Sequence, residues 1–328
     1  MSDSPDEFSL IERYFAPLSS GAIGALRLKD DVATLSIPEG HELVITTDAI
    51  VENVHFLSDD PSDLIARKAL RVNLSDLTAK AADPFAYLLS LALPRHLADD
   101  AWLGPFARGL GEDQAIYGVH LIGGDTVATS GPLVINVTAL GTVPQGAAVR
   151  RVGAQPGDKL FVTGSIGDGL LGLRALTGAL DTLDPVLRED VVTRYRLPQP
   201  RVAFGPALRG VASASMDVSD GLVADIGHLA AASGVAAVLH LHRIPLGVAA
   251  RAWADDQTER LFELATGGDD YEILFSVPPA KADDVVATAH ALGVPISEIG
   301  VLEPGEGVSV VALDGQRLPA GKAGFNHF

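Results

Sequence analysis

Residues 121–128 read Leu-Ile-Gly-Gly-Asp-Thr-Val-Ala, two apolar residues and two glycines delivering a single carboxylate, Asp125, into a run of small residues. Two adjacent residues without a Cβ mark a place where the backbone is approached closely. The same style recurs as ITTDAI (45–50), NLSDLT (73–78), MDVSDGL (216–222) and TGGDDYE (266–272). One aspartate of this kind is an Asx-turn or a helix cap, and Ser219-Asp220-Gly221 before a helix suits a cap well. Five such bends among apolar residues require a shared cause, because an unpaired charge in such surroundings is expensive and a cation relieves it. Hard oxygen donors with no thiolate suit Mg²⁺.

Working outward, VHLIGG reads as a strand ending at Asp125, PLVINVTALGTV as a longer strand and AYLLSLALP as a buried one, while LVITT (43–47) runs straight into Asp48. Residues 7–18 carry an amphipathic helical pattern, with Phe8, Ile11, Phe15 and Leu18 on one face, and residues 62–82 form a second helix with Asp76 inside it. An aspartate is a poor helix former at such a position. The turn-rich stretch VPQGAAVRRVGAQPGD has no periodicity and divides the chain into domains 1–148 and 149–328. Beyond it, KLFVTG, ASMDV, VAAVLHL and YEILFSV read as strands, and DGLLGLRALTGAL, RVAFGPALRG, VADIGHLAAAS and KADDVVATAHALG as helices. The expected class is α/β (α+β) in two domains.

Hydrophobic residues make up 47% of the 328, enough for two cores. Asp and Glu number 42 against 24 Lys and Arg, a formal net charge of −18, which argues against nucleic acid as a partner. No apolar run approaches the roughly 20 residues that span a bilayer, and the first residues lack the pattern of a secretory signal. A cytoplasmic protein that does not insert in membranes is expected. Cysteine is absent, which removes thiol nucleophiles and thiolate metal sites.

Gly167-Asp-Gly169-Leu-Leu-Gly172 matches a dinucleotide-binding pattern after a strand and at a helix start. No second apolar strand with a terminal acid follows about 20 residues on; a charged, helical stretch stands there instead. A glycine-rich helix start without a dinucleotide is the better reading, and no P-loop pattern occurs. His240 and His242 alternate on a strand without a third partner, so zinc is not expected. Arg150-Arg151 is an adjacent basic pair in an acidic chain, either solvated or a phosphate clamp.

FSLIERYF, the pair Asp30-Asp31, ITTDAIVENVHF, KALRVNLSDLTAKAADP, LIGGDT, GDKLFVTG, MDVSDGLVADIGH, TGGDDYEILF and the final GFNHF occur in this order. Together they resemble the thiamine-monophosphate kinase family of the aminoimidazole-ribonucleotide-synthetase-like superfamily, from about residue 7 to the last residue. The resemblance implies an N-terminal domain whose mixed sheet pairs with a second copy in a dimer-spanning barrel, and a C-terminal α/β domain that completes the active site. It implies ATP-dependent phosphorylation of thiamine monophosphate to thiamine diphosphate by a homodimer using several Mg²⁺ ions. The metal ligands implied are Asp31, Thr46, Thr47, Asp48, Asp76, Asp125, Asp217 and Asp220. ATP contacts would come from Gly124, Asp125, Arg151 and Ser219, and contacts to thiamine monophosphate from His55, Asp269 and Phe325.

Three features depart from the family pattern. Lys29 replaces a glycine before the first acidic pair, and Asp269 replaces a glutamate. Lys322 and Ala323 stand where an aromatic is usual, leaving Phe325 as the stacking candidate. Superfamily members that rely on cysteine or selenocysteine are excluded by composition. The remaining alternatives are another ATP-dependent enzyme such as aminoimidazole ribonucleotide synthetase, or a non-catalytic ATP–Mg²⁺-binding maturation protein.

Overall fold

A computed structural model describes residues 7–180 and 183–320. The chain divides into two compact units, residues 1–77 with 82–146, and residues 78–81 with 147–328. Each unit carries its own mixed sheet, so the two-domain mixed α/β class holds.

In the first unit the chain opens with a helical turn, α1 (Glu7–Leu10), continued by a π-helical turn and a 3-10 turn to Ser19. The expected helix over 7–18 is therefore helical but irregular. Its buried side chains are Leu10, Tyr14, Phe15 and Ala16, while Phe8 is 78% exposed. The described residues then form β1 (His41–Val51), α2 (Ser62–Ala79), β2 (Asp83–Pro94), α3 (Asp100–Tyr117), β3 (His120–Thr129) and β4 (Val134–Pro144). The strands lie in the order β1-β4-β2-β3, antiparallel except for the β2–β3 pair. α3 is closed by an Asp99 side chain on the Trp102 N–H at one end and by left-handed Gly118 at the other.

The register sorts the sheet's two faces. Val137 and Leu89 are buried on one face, whereas Asn136, Thr138 and Ser90 lie on the other, open face with Ile45, which is 58% exposed. Strand period then separates neighbours in sequence. Thr46 and Asp48 take the buried-core side; Thr47 and Asp125 take the open side, Asp125 level with Ser90 and Asn136. The two expected strand ends at Asp48 and Asp125 are not ends: β1 runs on to Val51 and β3 to Thr129. The paired glycines answer a packing demand, because a Cβ on Gly124 would lie 1.8 Å from the Leu89 carbonyl oxygen.

The second unit contains β5 (Lys159–Thr163), α4 (Asp168–Leu176), α5 (Pro185–Arg196), β6 (Ala214–Asp217), α6 (Leu222–Ser233) and β7 (Ala236–His240). It continues with α7 (Val248–Ala254), α8 (Thr258–Thr266), β8 (Ile273–Val277), α9 (Ala282–Ala291), β9 (Ile296–Glu303), β10 (Gly307–Val311) and β11 (Arg317–Pro319). Its sheet has the order β11-β10-β7-β9-β5-β8-β6, with only β10 and β7 parallel. The stretch 201–210 was expected to be a helix. Gly205-Pro206 and Gly210 reduce it to a 3-10 turn, Gly205–Leu208, since proline cannot donate to a longer ladder. His242 likewise lies in a 3-10 turn rather than on the strand with His240. Among the described residues no helix is long and apolar enough to cross a membrane.

Candidate active site

In the first unit, β1 and α2 bring three of the expected ligands together. From Lys68 to Ala79 every residue of α2 is buried except Asp76. The Thr46 hydroxyl donates to the Asp76 carboxylate at 2.5 Å. Asn73, one turn earlier on the same face, accepts the Asp48 N–H at 3.0 Å and anchors its own amide on the Ala69 carbonyl. β1 is an edge strand at this point, so the Asp48 amide that would face solvent is taken by a side chain. Thr46, Asp48 and Asp76 thus form a set of hard oxygen donors on one side of the sheet, a donor chemistry that fits Mg²⁺. Asn73 is a positioning side chain that the sequence reading did not single out.

The other first-unit candidates lie apart from that set. The Thr47 hydroxyl sits on the opposite face, 3.0 Å from the Thr138 hydroxyl, and Asp125 shares that face. Asp31 is exposed in the segment before β1, with Lys29 and Asp30 also exposed. His55 follows a turn after β1, and its Nδ1 accepts the Val51 N–H at 3.1 Å. That bond makes Nε2 the protonated nitrogen of a neutral ring. The buried Lys68 ammonium donates to the His55 carbonyl at 2.8 Å and fixes the turn.

In the second unit β6 ends at Asp217, which is buried, and the turn Val218–Leu222 leads into α6. The Asp225 carboxylate, on the first turn of α6, reaches back to accept the N–H of Ser219 at 3.1 Å and of Asp220 at 3.3 Å. The segment 266–272 is laid against this turn: Asp269 N–H donates to the Ser219 carbonyl, and Tyr271 N–H to that of Val218. A Cβ on Gly268 would come 2.5 Å from the Ser219 carbonyl oxygen, so glycine is needed for the approach. Ser219, Asp220 and Asp269 are therefore brought together, while Arg151 is exposed in a turn near Ser233. Phe325, Lys322 and Ala323 lie outside the described residues.

Asp220, Asp225 and His228 each offer a ligand atom within 4.8 Å of one another. Burial, followed by the negative charge of Asp220, pushes the Asp225 carboxyl up to about 7. Its raised folded-state value means that the folded chain holds this proton more tightly than the unfolded chain does. Stability from this group is therefore lost as pH rises from about 4 to about 7, by a few kcal/mol at most. In metal-free protein, the fall in Tm from pH 5 to pH 8 is expected to be larger in the parent than in Asp225→Asn. Identical falls would count against the assignment. Asp225 and His228 escaped the sequence reading, although their three-residue spacing on a helix is a legible signal.

The dinucleotide-like glycines have a different occupant. At the start of α4 the backbone N–H groups of Gly167 and Gly169 donate to the wholly buried Asp270 carboxylate. An internal carboxylate sits where a pyrophosphate would bind in a dinucleotide site. Burial raises the Asp270 carboxyl well above the usual range, against the pull of those two N–H groups. Gly172 permits close helix packing, since a Cβ there would lie 2.2 Å from the Val191 carbonyl oxygen.

Comparison with known proteins then fixes the class. Residues 29–143 match the AIR synthase related protein, N-terminal domain, and residues 155–312 match its C-terminal domain. The chain is 48% identical to the thiamine-monophosphate kinase of Caulobacter vibrioides over 326 residues, 98% of this chain and 91% of that protein. Among solved structures, thiamine-monophosphate kinase from Stenotrophomonas maltophilia superposes with a TM-score of 0.80 at 38% identity, covering 88% of this chain and 90% of that one. A structure described as AaThiL complexed with AMPPCP and TMP gives 0.78 at 31% identity, covering 98% and 97%. The chain belongs to the thiamine-monophosphate kinase family.

Proposed function

We propose that the protein transfers the γ-phosphoryl group of ATP to the phosphate of thiamine monophosphate, forming thiamine diphosphate and ADP. The observation that carries this reading is the hard-oxygen set where β1 meets α2, with Thr46 bonded to Asp76 and the Asp48 N–H bonded to Asn73, in a chain of this family. The substrate pair is supported by the relative complexed with AMPPCP and TMP. The acceptor is itself a phosphate, whose second pKa near 6 leaves it largely ionised at pH 7, so no strong general base is required. Positioning and charge neutralisation carry the rate in such transfers.

Mg²⁺ would be held by Thr46, Asp48 and Asp76 in the first unit and by Asp217 and Asp220 in the second. Asp31, Thr47 and Asp125 join the set through the family motif alone. When bound, Mg²⁺ supplies neutralisation of the negative charge on the reacting phosphates. Gly124, Asp125, Arg151 and Ser219 serve ATP; His55, through its Nε2–H, Asp269 and Phe325 serve the acceptor. Residues 1–148 would carry metal, ATP and dimer contacts, and residues 149–328 would complete the site. A homodimer with a barrel shared between copies is supported by the open, partly apolar face of the first sheet, where Leu43, Ile45 and Val127 are exposed. The setting proposed is the cytoplasm.

The test is ADP release by purified protein with ATP and Mg²⁺, comparing thiamine monophosphate with thiamine. Turnover is expected with the monophosphate and not with thiamine, whose hydroxyl would need a base. Equal turnover of the two would contradict the proposal.

A further inference from the structure

We propose that Asp270, which reaches no substrate, is the positioning residue that sets the acceptor-contacting Asp269; this rests on the function proposed above. Asp269 and Tyr271, on either side of it, both have left-handed backbones, with φ of 69° and 51°. Aspartate tolerates that conformation better than most side chains, but tyrosine holds it only where the surroundings impose it. The imposing contact is the Asp270 carboxylate. Both its oxygens accept the Gly167 N–H, at 3.0 and 2.9 Å, and one also accepts the Gly169 N–H at 3.2 Å. The carboxylate therefore draws the middle of the segment inward onto the positive end of α4.

There is no slack on the opposite side. A Cβ on Gly169 would lie 2.5 Å from the Asp269 carbonyl oxygen. Meanwhile the amides of Asp269 and Tyr271 bind the carbonyls of Ser219 and Val218, at 2.9 and 2.7 Å. Loss of the Asp270 contact would let the peptide planes on either side of it relax out of the left-handed region, swinging the Asp269 side chain. The Ser219–Asp220 turn has its own anchor in Asp225 and would stay in place. The effect is therefore expected to divide between the two substrates.

Asp270→Asn keeps the size of the side chain and one acceptor oxygen, but turns an amide donor towards the Gly167 N–H, which meets both oxygens in the parent. It is expected to raise KM for thiamine monophosphate about tenfold or more while KM for ATP changes less than about twofold. Gly169→Ala leaves Asp270 intact and pushes the Asp269 carbonyl instead, and the same division is expected. Hydrogen exchange without substrate should show lost protection at the amides of Asp269 and Tyr271 in Asp270→Asn, with those of Ser219 and Asp220 retained. Parallel rises in both KM values, or an acceptor KM within twofold of the parent in every variant that folds, would overturn the proposal. Unchanged protection at Asp269 and Tyr271 would do so too. Turnover by the parent protein reports on the function itself, so its failure is separable from failure of the pin, which the exchange measurement reads independently.

Discussion

Asp76→Asn is expected to lower turnover about a thousandfold, on the order of 4 kcal/mol of transition-state stabilisation, while the fold survives. The substitution keeps an acceptor for the Thr46 hydroxyl and removes only the charge. Asp76 is the one position between Lys68 and Ala79 that is not buried, and aspartate is not favoured inside a helix. The folded state thus depends little on this carboxylate, and the change in stability should be under about 1 kcal/mol. The measurement is kcat at limiting Mg²⁺ alongside a thermal melt. A variant with near-parental turnover at limiting Mg²⁺ would remove Asp76 from the metal set.

The second large effect falls on stability. Glu272 is fully buried, and its carboxylate accepts the Thr163 hydroxyl at 2.7 Å and the guanidinium groups of Arg194 and Arg201 at 2.5 to 2.9 Å. Glu272→Gln would leave two guanidinium groups facing a neutral amide. Breaking a buried pair from one side costs about 3–5 kcal/mol, and the lower end applies because both arginines keep about a fifth of their surface in water. Replacing Glu272 and both arginines together with apolar residues should be far less costly than the single change. Urea midpoints for the single and triple variants check this. A single variant as stable as the parent would mean that the cluster is not held by its charges.

Much of the proposed site is legible in the sequence because its residues announce themselves locally. An aspartate inside the helical pattern around residue 76, and aspartates beside Gly, Ser or Thr elsewhere, stand out against apolar neighbours. Strand ends were less legible. Asp48 and Asp125 look like terminators, yet β1 and β3 run through them because both are edge strands: Asp125 lies on the open face, and Asp48, although on the core side, stays exposed at the sheet edge. Alternation along β1 also divides Thr46 from Thr47, which a motif read as one block conceals. The partner of the glycine-rich helix start could not be read locally, since Asp270 lies 103 positions from Gly167. The strands after α9 went unread for a similar reason: their apolar residues alternate weakly and gain their meaning from distant partners.

β5 is an interior strand of the larger sheet, between β8 and β9, and both of those neighbours are made late. Thr163 on β5 meets Glu272 across 109 positions of chain. At roughly 5–20 residues per second, a ribosome leaves the apolar strand KLFVT waiting on the order of ten seconds for its first neighbour. Through that interval the strand has two unpaired edges, and the nascent chain is open to wrong pairing. The segment 266–272 thus arrives only with β8, and a chain that stops short of β8 leaves the ribosome with this interior strand bare on both sides.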